Sequence, residues 1–237
     1  MKVRTKSALL LSLSIAGMLG LAAVGARAAG DCGSEAAPGI DWQECQKRLL
    51  MLGGSDFQDA KLFGTDFTAT DLRATNLAGA NLEKAKLIRA SLAGAKAQGT
   101  RFARVEAYRT DFSDLDAEAA SFESAELQRS NFRNAKLSKA NFTKSDLGRS
   151  QFDGAELGGS RFALANVSRT DFRGAIFSAP GDFDRAFFFL ARIEGVDLSA
   201  ATGLVQWQVD MACGDDKTGL PEGLTKPPQW PCKFDQD

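Results

Sequence analysis

The residue types that usually carry catalysis are unevenly supplied in this chain of 237 residues, which holds 29 Lys and Arg, 30 Asp and Glu, four Cys and no His. Without imidazole, neither a Ser-His-Asp nor a Cys-His arrangement can be assembled, and every haem or zinc site that depends on His is excluded with them. Carboxylates are plentiful, but a pair such as Asp114 and Asp116 falls among acids that recur at outward positions. A solvated surface places acids that way; a general acid and its base need a shared, sheltered site. No Gly-rich phosphate loop, nucleophile elbow or ordered calcium loop occurs. The expectation is a protein that is not an enzyme, with no catalytic, cofactor-binding or metal-binding residues and no cofactor.

The cysteines carry a different chemistry. Cys32 and Cys45 lie near one end, Cys213 and Cys232 near the other. Neither pair has the short spacing of a zinc knuckle, so disulfides are the expected use. Three connectivities are possible, and if the two ends of the molecule lie far apart only Cys32 with Cys45 and Cys213 with Cys232 can close. Disulfides suit an oxidising compartment. Lys2, Arg4 and Lys6 precede an uncharged, Leu-rich stretch over 7–26, and Ala26-Arg27-Ala28 supplies a small-x-small cleavage site. Residues 1–28 therefore read as a signal peptide, with Ala29 the mature start, a periplasmic or secreted destination and no membrane span in the mature chain. Cleavage takes the 29 basic groups to 25 against 30 acids, a formal charge of −5.

A third arrangement is Arg89, Arg109, Arg129, Arg149 and Arg169, one arginine every 20 residues. Such spacing has chemical meaning only if the chain returns to the same angular position at that interval. The sequence contains a repeat that can do this. From Phe57 a large apolar residue recurs at every fifth position through Leu62, Phe67, Leu72 and onward to Phe177, and of the 25 positions in this register only Ala97, Ala107 and Ala117 are small. Two residues before each centre stands a small residue, with Val105 and Leu115 the large exceptions. Those two precede Ala107 and Ala117, so large and small have exchanged places there, as two positions sharing one core volume would allow. A one-residue slip follows near Pro180-Gly181, and the pattern resumes at Phe183, Phe188, Ile193 and Leu198.

Period five fits neither a helix nor a strand. It fits a chain that turns a corner every five residues, two pointing in and three out. The stretch Thr75-Asn76-Leu77-Ala78-Gly79-Ala80-Asn81-Leu82 resembles the pentapeptide-repeat family, whose motif is a small residue, Asp or Asn, Leu or Phe, and two variable residues. The resemblance covers residues 55–201 and implies an all-β solenoid, a right-handed quadrilateral β-helix with four pentapeptides to a coil. About seven coils at strand spacing make a rod of roughly 35 Å. Phe102, Phe122, Phe142 and Phe162 should then stack on one face, and Phe112, Phe132, Phe152 and Phe172 on the opposite one. Residues 29–54 are expected to form an N-terminal cap, with Asp41 capping a short helix that turns Trp42, Cys45, Leu49 and Leu52 inward. Residues 202–237 are expected to form a C-terminal cap and tail, with Thr202 capping a helix that turns Leu204, Trp207 and Met211 inward before Gly214. Segments such as Ala201-Thr202-Gly203-Leu204 and Ala212-Cys213-Gly214-Asp215 also resemble a tail of some bacterial members of that family. Phe187 and Phe189 should face outward, covered by the tail or by a second subunit, so the protein is expected to be a monomer or a dimer through its C-terminal face.

Two accounts of the arginine column stay open. In one, Glu106, Glu126 and Asp146 in the preceding outward column pair with the arginines in a surface ladder. In the other, the basic side is a recognition surface for a protein or anionic cell-envelope polymer. Over residues 55–179 two adjacent faces hold 12 basic and 6 acidic groups, and the other two hold 6 basic and 10 acidic. The resemblance also implies a DNA-mimic alternative, since some cytoplasmic members of the family match DNA in shape and charge and bind topoisomerases. Residues 55–201 carry 20 acids and 20 bases, whereas duplex DNA carries one charge per ~1.7 Å. The expectation is an exported, non-enzymatic binding or scaffold protein, with no nucleic-acid partner.

Overall fold

The computed structural model describes residues 30–232. The proposed signal peptide and its cleavage site lie outside the described residues. From Asp41 onward the chain forms single-residue parallel bridges 20 residues apart in four columns, opened by Asp41 to Lys61, Gln46 to Asp66, Met51 to Asp71 and Asp56 to Asn76. Across the slip at Pro180-Gly181 the step is 21, as in Arg161 to Asp182 and Asn166 to Phe187, and it returns to 20 between Asp182 and Thr202. Each bridge is one residue long, so among the described residues the ladder is a solenoid of corners with no continuous sheet.

The motif follows from where each backbone group finds a partner. At the corner after Phe57, the Ala60 N–H donates to the Phe57 carbonyl at 3.0 Å. The Phe57 N–H reaches the Asn76 carbonyl on the next level at 2.6 Å, and the Asn76 N–H returns to Ser55 at 3.0 Å. The N–H of the first variable residue has no backbone acceptor at the corner, and the Asp or Asn of the motif supplies one. The Gln58 N–H donates to Asp56 Oδ1 at 3.0 Å, and the Thr68 N–H to Asp66 Oδ1 at 2.9 Å. Buried amides must be paired, so the acid or amide at this position is structural. The second variable residue takes the left-handed conformation, as at Lys84, Arg104 and Asn134 with φ of 61°, 58° and 56°. This backbone costs a non-glycine residue free energy, offset here by the inter-level hydrogen bonds on both sides.

Inward positions form one continuous core. Phe102, Phe122, Phe142, Phe162 and Phe183 stack at centroid separations of 4.8, 4.9, 5.0 and 5.1 Å, with planes within 7°. The facing column of Phe112, Phe132, Phe152 and Phe172 stacks at 4.7, 4.9 and 5.2 Å. The two columns meet edge to face, a geometry suited to the ring quadrupoles, as between Phe122 and Phe132 at 5.8 Å. Inward Thr and Ser hydroxyls are satisfied by core carbonyls, for example Thr110 Oγ1 to Leu87 O at 2.6 Å and Ser130 Oγ to Ala107 O at 2.7 Å. Leu115, Ala117, Val105 and Ala107 are all fully buried, as the exchange of large and small requires.

The ends differ from the expectation. No helix forms over 41–54; the corner geometry already runs through this segment. Its amides bond to the next level, as Trp42 N–H to Lys61 O at 2.9 Å and Lys47 N–H to Asp66 O at 2.8 Å, and the register is masked in the sequence by Lys47, an inward lysine where the repeat wants an apolar residue. It is buried, its Nζ lies 3.5 Å from the Trp42 ring centroid and donates to the Cys32 carbonyl at 2.9 Å. Burial lowers its pKa, a shift that Asp31 partly opposes. Leu49, expected inward, is a left-handed corner residue and 75% exposed. At the other end the one helix among the described residues, α1, spans Gln206–Met211. Its N-cap is Val205, whose N–H donates to Gln208 Oε1 at 2.8 Å, and Thr202 instead extends the bridge ladder opposite Asp182. Trp207 points outward, because Gln208 takes the inward place and donates to the carbonyls of Phe183 and Ala186 at 2.9 Å each. Gly214 does not stop the helix, which ends at Met211; the Trp230 ring occupies the space a Cβ there would fill. Cys32–Cys45 and Cys213–Cys232 are bonded, with Cα atoms 5.5 and 5.4 Å apart.

Candidate anion-binding face

The five arginines of the sequence column occupy one corner position on successive levels. Arg89, Arg109, Arg129, Arg149 and Arg169 have φ of 57°, 56°, 60°, 62° and 55°, and all five are exposed. A left-handed corner residue stands clear of the ladder, and the column inherits the spacing of the stacked core rings, 4.8 to 5.1 Å between levels.

The pairing account of this column is not realised. Among the described residues no carboxylate lies within 4.0 Å of any of the five guanidinium groups, and none of them makes a side-chain hydrogen bond. Glu106 instead meets Lys86 Nζ at 4.0 Å. Asp146 is engaged by the Gly148 N–H at 3.0 Å, Asn166 Nδ2 at 3.1 Å and Gln128 Nε2 at 2.9 Å. Of the three acids, Asp146 is thus turned toward its own corner amide, and Glu106 toward a lysine on the level before. Three of the five arginines lie over aromatic rings. Arg109 and Arg129 lie 5.2 and 5.9 Å from the Tyr108 ring centroid, and Arg169 lies 5.9 Å from Phe189. These rings carry no charge, so the positive potential of the column is left intact. On the adjacent basic face, by contrast, Arg104 is paired with Glu83 at 3.1 Å and Lys61 with Asp41 at 3.6 Å.

Phe187 and Phe189 are 46% and 44% exposed and stack on each other at 6.3 Å. The tail, through residue 232, does not cover them; its Trp230 ring lies against Gly214 instead and donates Nε1–H to the Ala212 carbonyl at 2.7 Å. Among the described residues no group of three or more acids or cysteines is placed to hold a metal ion, and no helix is long and apolar enough to cross a membrane.

Comparison with known proteins follows the same residues. A family model described as pentapeptide repeats (8 copies) matches residues 52–87, and one described as a pentapeptide repeat region matches residues 85–162. No curated protein matches the chain. Among solved structures the chain is similar to HetL, a pentapeptide repeat protein involved in heterocyst differentiation regulation from the cyanobacterium Nostoc, at 22% identity over 76% of this chain and 89% of that one, TM-score 0.33. It is also similar to QnrB1, a plasmid-mediated fluoroquinolone resistance protein, at 16% identity over 78% and 84%, TM-score 0.41. A pentapeptide repeat protein from the Arabidopsis thaliana thylakoid lumen is 27% identical over 53% of this chain and 67% of that one, TM-score 0.21.

Proposed function

Given that this chain belongs to the pentapeptide-repeat family, we propose that it is an exported, non-enzymatic binding protein that docks an anionic partner along its arginine face. The observation that carries this reading is the column of five arginines at one angular position with no carboxylate partner among the described residues. A line of like charges is costly to keep together, and pairing would relieve it; leaving it bare suits a surface that waits for an outside anion. Export is supported by the basic start, apolar stretch and Ala26-Arg27-Ala28 of the sequence, together with two disulfides. A neutral repeat region lacks the continuous negative charge that duplex mimicry requires.

The test replaces Arg109, Arg129 and Arg149 together by Gln. All three are surface residues, so the melting temperature should stay within a few degrees of the parent's. Capture of partners from a cell-envelope fraction at physiological salt should fall sharply, and capture by the parent should weaken as salt rises. Equal capture by the triple variant overturns the proposal.

A further inference from the structure

The residues just before each arginine form their own outward column: Ile88, Tyr108, Gln128, Gly148, Ser168 and, after the slip, Phe189. Two small residues in succession open a recess of about 380 Å³ in an otherwise filled face. Its floor is Gly148 and Ser168, its ends are Gln128 and Phe189, and Arg129, Arg149 and Arg169 line one side. Asp146 and Asn166 line the other. From this geometry we infer that the recess and the arginine column bind a linear polyuronate, an acidic polysaccharide with one carboxylate on each sugar ring, laid along the solenoid axis. The inference rests on the anion-docking reading above and specifies its ligand.

Three features select this chemistry. The first is spacing. Levels repeat at 4.8 to 5.1 Å, and a 1→4-linked uronate advances by nearly one level per ring, so its charge density along the axis matches that of the column while successive rings present their hydroxyls and carboxylates to it in turn. An extended acidic peptide carries one carboxylate per ~3.3 Å, denser than the column, and has no hydroxyls to offer between them. The second is Asp146. A carboxylate has about four lone-pair sites, and three are filled by Gly148, Asn166 and Gln128. The remaining site repels a ligand made only of acceptor oxygens, such as polyphosphate, but accepts a sugar hydroxyl. The third is Phe189, half-exposed at the end of the recess and stacked with Phe187, whose exposed edge makes an apolar end wall for the C–H groups of a sugar.

The experiment titrates hexagalacturonate into the full protein by calorimetry at physiological salt, beside the neutral hexagalactose, hexaglutamate and a polyphosphate of equal charge. Hexagalacturonate should bind more tightly than the other three. Arg149→Gln, and separately Gly148→Gln, which closes the recess with the side chain its neighbour Gln128 already carries, should each weaken binding by about tenfold or more. Ser168→Gln closes the same recess from the next level and should match Gly148→Gln, so a folding defect in either variant does not decide the outcome. If hexaglutamate or polyphosphate binds as well as hexagalacturonate, or if filling the recess changes nothing, the polyuronate assignment is wrong while the arginine column stands as a general anion surface. If no anion binds and the triple Gln variant captures partners as the parent does, both readings fall.

Discussion

Leu115 and Ala117 give a direct test of the core. Both are fully buried, and the order of large and small is reversed relative to Ala135 and Leu137 one level on. Leu115→Ala alone removes a buried isopropyl group and leaves a cavity, costing about 2 to 5 kcal/mol. Ala117→Leu alone adds the same group beside a space Leu115 already fills, costing about 1 to 3 kcal/mol through overpacking. Independent sites would sum to roughly 3 to 8 kcal/mol, a large part of the ~5 to 15 kcal/mol that a domain has. If the two side chains draw on one volume, the double variant rebuilds the ordinary order and should lie within about 1 kcal/mol of the parent. The measurement is urea unfolding of the four proteins with disulfides intact, comparing midpoints at constant m-value. Single losses that simply add in the double variant refute the shared-volume reasoning.

Three further outcomes are expected. Phe132→Leu removes two stacked and two edge-to-face ring contacts and should lower stability by about 1 to 3 kcal/mol in the same urea assay, whereas Leu137→Met, whose column neighbours Ala117 and Leu157 carry no rings, should cost under about 1.5 kcal/mol. Selective loss of the second disulfide in a Cys213→Ser, Cys232→Ser variant should cost about 3 kcal/mol in the chain-entropy picture and expose the tail to limited proteolysis while the repeat stays resistant. Asp71 titrates at about 2, held down by its hydrogen bonds to the Arg73 side chain and backbone. A depressed folded value means this contribution to stability is present above the unfolded pKa near 4 and is lost as pH falls through about 2. Carboxyl NMR should show the low midpoint, and Arg73→Gln should bring it back toward the ordinary range.

The core was legible in the sequence because period five leaves a large apolar residue at each corner, and nothing else in the chain imitates that. The column of arginines was legible for the same reason, once positions were compared every 20 residues. The ends were not. Trp42, Cys45, Leu49 and Leu52 mimic a helical stripe only because Lys47 interrupts the five-residue register; its charge reads as outward until the Cys32 carbonyl and the Trp42 ring are seen to receive it. Trp207 misled in the opposite way, since hydrophobicity favours it for the core, but Gln208 can donate to two core carbonyls that an indole at the next position could not both satisfy. The absence of arginine–acid pairs among the described residues depended on other donors taking the acids, the corner amide and two side-chain amides for Asp146 and Lys86 for Glu106, a competition that spacing alone does not reveal. The recess did leave a trace, in Gly148 and Ser168 standing where neighbouring levels carry Tyr108 and Gln128.

The left-handed corner column that carries the arginines does not consist of arginines throughout. It runs Leu49, Ala69, the five arginines, and then Leu190, all with positive φ, so charge begins and stops abruptly within a backbone that continues unchanged. The slip at Pro180-Gly181 brings Leu190 above Arg169, where an unbroken register would have placed Phe189, so the charge ends there in either register. The molecule is thus a gauge with five graduations, about 20 Å from first to last. A flexible anion laid on it gains one charge contact per unit until the graduations run out. Affinity should then climb with ligand length and level off once five charged units are in register, and lengthening the chain further should add only statistical positions along which the ligand can shift.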